Sequence, residues 1–141
     1  MASKKAYLDH LRNVPLFSSC STKELERIAK AADEISVPEG HLLCDQGQTG
    51  REAFIILSGS ALVKRNGKKI TIVGPGAMVG ELSLLDHGPR TATVTTNSAS
   101  TLLVIDQRHF AAVLADVPTL SRKLLAALAG RIRDLDRTMF G

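Results

Sequence analysis

The segment from Ala53 to Val79, AFIILSGSALVKRNGKKITIVGPGAMV, decides the fold class. Three short runs of strand-forming residues are separated by turns at Ser58-Gly59, Asn66-Gly67 and Gly74-Pro75-Gly76. The Asn66-Gly67 pair predicts a two-residue hairpin, because both central residues of a type I′ turn need a positive φ. Several short strands at this spacing are typical of a β-sandwich, a jelly roll or a small barrel.

The same texture of short strands and turns extends from about residue 33 to residue 106, and helical patterns flank it. Ser21 or Thr22 can cap a helix from Lys23 to about Ala32, and Asp106 can cap another from Gln107 to about Ala115. A last helix is predicted from Pro118 to about residue 137. We therefore predict a mainly β protein with flanking helices. It is a β-roll or jelly roll at about 33–106, with an N-terminal helical part at about 5–32 and two C-terminal helices at about 107–138.

Length and composition indicate one ordinary globular domain, residues 1–141. Hydrophobic residues make up 44% of the chain and charged residues 23%, which is typical of a water-soluble domain. No apolar run approaches the length of a membrane span, and the start MASKKAYLDH lacks the apolar stretch of a secretory signal. A cytoplasmic location is the resulting expectation. In that reducing compartment Cys20 and Cys44 are expected to be unpaired, buried thiols.

The charge pattern and the absence of several catalytic motifs narrow the range of possible functions. A net charge of +4 suits a small anionic ligand and does not require nucleic acid. The basic residues near the C-terminus are interpreted as a solvated helix face. The chain has no phosphate-binding GxxxxGK[ST] loop, no HExxH motif and no nucleophile elbow, and its histidines are dispersed. We therefore expect no enzyme activity, no metal site and no cofactor.

One polar segment interrupts the pattern of predicted strands. Residues 81–86, ELSLLD, are too short for a full helix and are bracketed by Gly80 and by Gly88-Pro89. They are interpreted as a single helical turn between two strands, the kind of place that functional sites favour. Gly80 lets the backbone approach a ligand closely, since it has no Cβ. The first turn of the helix offers unpaired N–H groups to an anion.

The side chains of this segment and of the residues just after it predict a nucleotide site. Arg90 can grip two phosphate oxygens at once, and the Ser83 hydroxyl can donate to the same group. Glu81 conflicts with an anion site unless it faces away from the phosphate and accepts a hydrogen bond from a sugar hydroxyl. Thr91 adds a hydroxyl that can face phosphate or base. We call residues 80–92 the phosphate-binding insert.

These residues resemble the phosphate-binding cassette of the cyclic-nucleotide-binding domain family, which includes regulatory domains of kinases, channels and catabolite-activator-type regulators. The resemblance rests on Gly80-Glu81-Leu82-Ser83, on Pro89-Arg90-Thr91-Ala92 and on the turn glycines before them. It covers nearly the whole chain, because the leading helix, the β-roll and the two trailing helices also match. One departure is Val79, where the family usually has an aromatic residue before the cassette glycine.

The resemblance implies a role for each matching residue. Arg90 would bind the exocyclic phosphate oxygens and Glu81 the ribose 2′-hydroxyl. Backbone amides of Leu82, Ser83 and Ala92 would complete the phosphate shell. Four aliphatic residues would line the base side of the pocket: Val63, Ile70, Val73 and Val79. The implied ligand is cAMP or cGMP. We favour cAMP, although the Thr91 hydroxyl can also favour guanine.

The resemblance leaves several alternatives open. Many family members carry a DNA-binding helix-turn-helix after the last helix, and this sequence stops at Gly141, where that unit would begin. The chain is therefore either a stand-alone module or the effector part of a transcription regulator, a channel or an enzyme. By itself it is expected to bind no nucleic acid and no membrane, and its protein effector is unknown. A degenerate interaction domain is a further alternative.

The last helix carries a heptad seam, and it has three interpretations. The seam consists of Leu125, Leu128, Ile132, Leu135 and Met139. It can form a homodimer interface, a lid over the base, or a face packed on the β-roll. Arg131 or Arg133 is a candidate contact to the base.

Overall fold

A computed structural model describes residues 4–86 and 88–140, without the side chains of residues 4–6, 82, 83 and 138–140. The N-terminal part consists of α1 (Lys4–Arg12), a 3₁₀ turn (Pro15–Phe17) and α2 (Thr22–Lys30). Two helices follow the strands, α4 (Gln107–Asp116) and α5 (Pro118–Phe140). Within the described residues, no helix is both long enough and apolar enough to cross a bilayer.

Eight strands lie between these helical parts. They are β1 (Asp33–Val37), β2 (Leu42–Cys44), β3 (Glu52–Ser58), β4 (Ala61–Arg65), β5 (Lys68–Val73), β6 (Met78–Val79), β7 (Thr93–Thr96) and β8 (Ser100–Asp106). The short helix α3 (Leu82–Asp86) lies between β6 and β7. The first sheet has the order β1-β8-β3-β6 and the second the order β2-β7-β4-β5. Every pairing is antiparallel, and this arrangement confirms the predicted β-roll or jelly roll with flanking helices.

Strand β3 separates two cores, which explains its uninterrupted apolar sequence AFIIL. Ala53, Ile55 and Leu57 belong to the core that the first sheet shares with the helices. Phe54 and Ile56 belong to the core between the two sheets. Successive side chains of a strand point to opposite faces, so a strand covered on both faces has to be apolar at every position.

The hairpin predicted at Asn66-Gly67 joins β4 to β5. Asn66 has φ of 54° and Gly67 has φ of 77°, and Arg65 is paired with Lys68 across the turn. Further along, Val63 is opposite Thr71 whereas Lys64 is opposite Lys69, which leaves Ile70 as the extra residue of a β-bulge. The hairpin places the end of β4 beside the cavity described below.

The N-terminal helices are fastened to α5 by a buried carboxylate. Ser21 caps α2, and Glu24 completes the capping box by accepting a hydrogen bond from the Ser21 amide. The Glu24 carboxylate also accepts from Lys123 Nζ at 2.6 Å and from Thr119 Oγ1 at 2.7 Å. Its side chain is only 8% exposed. A carboxylate this buried is stable in the fold only because donors surround it.

Helix α5 divides into a packed half and an exposed half. Leu120 and Leu124 are buried against the other helices, and Ala127 and Leu128 pack beside them. From Ala129 to Arg137 every residue is exposed. Of the predicted heptad seam, Leu128 therefore contacts the body, whereas Leu125, Ile132 and Leu135 are 67%, 66% and 65% exposed. The idea that the seam as a whole packs on the β-roll is wrong, and the side chain of Met139 is outside the described residues.

The buried carboxylate gives the fold a pH dependence. The hydrogen bond from Lys123 is the main reason that the pKa of Glu24 falls from 4.5 to about 2. The stabilisation is therefore complete above pH ~4.5 and is lost as the pH falls toward 2. We predict that Glu24→Gln lowers the free energy of unfolding at pH 7 by about 2 kcal/mol. Urea unfolding at pH 7 and pH 3 should show a smaller pH effect in this variant than in the parent.

The exposed residue Glu39 provides the matched control for this experiment. Glu39→Gln removes the same charge and should change the free energy of unfolding by less than about 0.5 kcal/mol. An identical pH effect in Glu24→Gln and in the parent would contradict the role given to Glu24.

Candidate functional site

The phosphate-binding insert forms one side of a cavity of about 220 Å³. Strands of the second sheet and the end of β6 form the other sides. The lining residues are Cys44, Val63, Arg65, Val73, Met78, Val79, Gly80, Glu81, Pro89, Arg90, Thr91, Ala92 and Val94. The cavity thus combines an apolar wall with two guanidinium groups and one carboxylate.

Arg90 is the most firmly held charged residue of the cavity. It is only 9% exposed, and its Nη1 donates to the carbonyl oxygen of Glu52 at 2.8 Å and to that of Gly80 at 3.4 Å. Its backbone is fixed as well, because its amide donates to the Gln48 carbonyl at 2.8 Å and its carbonyl accepts from the Gly47 amide at 2.9 Å. A guanidinium cannot lose its proton in a protein, so a permanent positive charge is held beside the insert.

Gly80 provides the space that Arg90 occupies. Its φ is +79°, in the left-handed region that favours glycine. A Cβ at this position would lie 2.5 Å from Arg90 Nη1 and 3.0 Å from the Glu52 carbonyl oxygen. From the sequence, this glycine is predicted to allow close approach of a ligand. The structure gives it a second task, which is to admit the arginine.

Glu81 faces the cavity from the residue before α3 and contacts α5. Its side chain is 21% exposed, and Arg131 Nη2 lies 3.4 Å from its Oε1. Arg131 was considered in the sequence analysis as a contact to the base, but in the structure it pairs with this carboxylate. The pair connects the insert to the half of α5 that extends beyond the body.

The structure brings most of the sequence-predicted residues together at one cavity. Gly80, Glu81, Arg90, Thr91, Ala92, Val63, Val73 and Val79 all line it. The backbone of Leu82 and Ser83 opens α3, but their side chains, and hence the Ser83 hydroxyl, lie outside the described residues.

Ile70 was predicted to line the base side, and it is not among the lining residues. It is 53% exposed on β5. The physical reason is strand alternation: Ile70 lies three residues before the lining residue Val73 on β5, so the two side chains point to opposite faces of the sheet.

Four lining residues lie outside the predicted site: Cys44, Arg65, Met78 and Val94. A signal for two of them was present in the sequence. Arg65 lies two residues after Val63 on one strand, and Val94 lies two residues after Ala92, so period-2 alternation places each pair on one face. Cys44 is buried, as expected, and burial raises the pKa of its thiol.

The arrangement suits an organic anion with hydroxyl groups. Arg90 offers positive charge to an anionic group, Glu81 can accept from a hydroxyl, and the valines offer an apolar surface. Among the described residues there is no cluster of three or more His, Cys, Asp or Glu side chains placed to hold a metal ion.

Comparison with known proteins identifies the family of this domain. A family model described as "Cyclic nucleotide-binding domain" matches residues 34–117. The chain is 32% identical over 128 residues to the "CRP-like cAMP-activated global transcriptional regulator" of Mycobacterium tuberculosis. That match covers 87% of this chain and 57% of the regulator, so the chain spans little more than half the length of this relative.

Solved structures agree with the fold. The N-terminal domain of a transcriptional regulator from Streptomyces coelicolor superposes with a TM-score of 0.86 at 29% identity, covering 94% of this chain and 96% of that one. The regulatory domain of Toxoplasma gondii PKA, solved with cAMP, superposes with a TM-score of 0.72 at 30% identity, covering 84% and 48%.

Replacement of Gly80 tests the packing of the cavity. Gly80→Ala should displace the Arg90 guanidinium and strain the backbone, since alanine tolerates this φ poorly. We predict a loss of stability of about 1–2 kcal/mol and at least about tenfold weaker ligand binding. Thermal unfolding and calorimetric titration with a cyclic nucleotide measure the two effects.

Gly130 is the matched control, because a Cβ at this position of α5 would meet nothing within 4 Å. Gly130→Ala should leave ligand binding unchanged and raise stability by up to ~1 kcal/mol. If Gly80→Ala behaved like Gly130→Ala, the close approach of Arg90 to Gly80 would not matter.

Proposed function

The chain belongs to the cyclic nucleotide-binding domain family, and from this premise we propose that its cavity binds cAMP and that binding is signalled through α5. The observation that carries the proposal is the buried Arg90, whose charge faces a cavity with room for a small organic anion. A cyclic nucleotide has a single negative charge on its phosphate. Arg90 neutralises that charge in a site that is partly shielded from water, where a charge-assisted hydrogen bond is strong.

The other polar groups can hold the sugar and the rest of the phosphate. Glu81 accepts a hydrogen bond from the ribose 2′-hydroxyl, which is the role that the family resemblance implies for this residue. Backbone amides of Leu82, Ser83 and Ala92 donate to the phosphate oxygens. The acid and the arginine therefore serve different halves of one ligand, and their opposite charges do not compete for the same atoms.

The base lies on the apolar wall formed by Val63, Val73 and Val79. This wall offers dispersion and hydrophobic contact without selecting between purines. We propose cAMP as the main ligand, since one of the relatives compared above is named as cAMP-activated and another was solved with cAMP. The Thr91 hydroxyl keeps cGMP as the alternative, because it can accept from the guanine 2-amino group.

The signal passes through the Glu81–Arg131 pair. When the ribose hydroxyl donates to Glu81, it competes with Arg131 or changes its geometry, and Arg131 belongs to α5. Such a ligand shifts α5 only to the extent that it binds one position of the helix better than the other. The consequence is a changed surface offered to a partner.

Regulation of DNA binding in a longer protein is a candidate role for this domain, because relatives and structural neighbours are described as transcriptional regulators.

The exposed seam residues Leu125, Ile132 and Leu135 support a homodimer through α5. Three large apolar side chains on one exposed helix face are stabilised by pairing with the same face of a second copy.

Loss of the guanidinium should abolish most of the affinity. We predict that Arg90→Ala costs at least about 2–3 kcal/mol of binding free energy, roughly a 30- to 150-fold rise in Kd for cAMP. Isothermal titration calorimetry measures it. Arg122→Ala, at an exposed position of α5, should change the Kd less than about twofold.

Because Arg90 is buried, its removal can also affect folding, so Arg90→Lys provides a second variant. It retains the charge without the planar fork and should bind with intermediate affinity. Parental affinity in Arg90→Ala would show that the phosphate is held elsewhere.

The homodimer has its own test. Ile132→Asp places a charge in the apolar seam and should raise the dimer dissociation constant more than about tenfold. Size-exclusion chromatography with light scattering at several concentrations measures the mass. Ala126→Asp adds the same charge at an exposed position outside the seam and should leave the dimer intact. A parent chain that stays monomeric at high concentration would refute the homodimer without touching nucleotide binding.

A further inference from the structure

A second arginine lies at the cavity, and the nucleotide roles described so far do not use it. Arg65 is the last residue of β4, and it lines the cavity together with Arg90 and Thr91. Its Nε donates to the carbonyl oxygen of Thr91 at 3.1 Å. This hydrogen bond holds the guanidinium against the same stretch of chain that carries the phosphate-binding Arg90.

Strand pairing places Arg65 at the phosphate end of the cavity. Val63 is opposite Val94 and Lys64 is opposite Thr93. Continuing this register, Arg65 comes level with Ala92, whose amide is assigned to the phosphate. Lys64 is on the other face of the strand, since neighbouring side chains alternate, and it is not among the lining residues.

The hairpin that carries Arg65 is fixed to the neighbouring loop. The Gln46 side chain donates to Asn66 Oδ1 at 2.8 Å, and its own oxygen accepts from the Asn66 amide at 2.8 Å. The Gln46 amide in turn donates to Thr93 Oγ1 at 3.1 Å. Arg65 is therefore presented to the cavity by a hairpin tip that Gln46 connects to β7, although its own side chain is exposed.

The charges around Arg65 favour an anion. Among the described residues Arg65 forms no ion pair, and its Nη groups carry four further N–H donors. The single carboxylate lining the cavity, Glu81, is paired with Arg131. Arg90 Nη1 is engaged by two backbone carbonyls. A cyclic phosphate has two exocyclic oxygens, so a second guanidinium has an acceptor of its own.

The geometry points to Arg65 as a second phosphate-binding residue, which contacts one of the two exocyclic oxygens that the sequence assigns to Arg90 alone. This inference rests on the proposed cyclic-nucleotide function and extends it to a residue outside the insert. The phosphate would then be held between β4 and the start of β7 by two guanidinium groups. Affinity gained in this way does not depend on the base.

Titration of Arg65→Gln with cAMP and with cGMP tests the assignment. The variant should bind both nucleotides about fivefold to tenfold more weakly, the loss expected for one charge-assisted hydrogen bond at an exposed site. Lys64→Gln removes the same charge from the other face of β4 and should change either Kd less than about twofold. Equal losses in the two variants, or a loss for one base only, would overturn the assignment.

Phosphorothioate analogues identify the oxygen. The Sp and Rp forms of cAMP each replace one exocyclic oxygen with sulfur. In the parent, the form with sulfur at the Arg65 contact should bind more weakly than cAMP, and Arg65→Gln should abolish that difference. If the ratio of Sp to Rp affinity were the same in Arg65→Gln as in the parent, the role of Arg65 would be overturned.

Failure of this inference can be told from failure of the proposed function. If the parent bound no cyclic nucleotide, the proposed function itself would fail. If the parent bound and Arg65→Gln bound equally well, only this inference would fail.

Discussion

The cavity depends on the contact between the Arg90 guanidinium and the carbonyl oxygens of Glu52 and Gly80. This contact joins the start of β3, the turn after β6 and the entry to β7 at one point. It requires a glycine at position 80, because a Cβ would occupy the place of the guanidinium. A positive charge buried to this extent needs oxygen partners in the empty protein and an anion when the site is filled. The phosphate-binding role that we propose for Arg90 rests on this buried charge.

Two ion pairs connect this core of the site to the helices. Glu24 and Lys123 hold the packed half of α5 against α2, and Glu81 and Arg131 touch the exposed half. The first pair is buried and stabilises the fold. The second is weaker, since Arg131 is 45% exposed and the distance is 3.4 Å. In the mechanism that we propose, a ligand at Glu81 moves the exposed half of α5 and leaves in place the half anchored by Glu24.

Much of the fold and of the candidate site can be predicted from local chemistry in the sequence. The hairpin at Asn66-Gly67 follows from a backbone conformation that few residues tolerate, and Gly80, Glu81 and Arg90 follow from the chemistry of an anion and a sugar. What could not be predicted depends on register. The antiparallel pairing of β4 with β7, which brings Arg65 beside the phosphate-binding insert, arises from contacts between strands. Likewise, the heptad pattern of α5 does not show that Leu128 packs on the body while Ile132 is exposed.

The central claim is that one cyclic nucleotide binds per chain, with its phosphate at Arg90 and its ribose at Glu81. Calorimetric titration of the unaltered chain with cAMP, and with its 2′-deoxy analogue in the same cell, tests it most directly. We expect saturable binding of one cAMP per chain and weaker binding of the analogue, because Glu81 loses the hydroxyl that donates to it. No saturable binding of cAMP, or equal affinity for the two ligands, would contradict it.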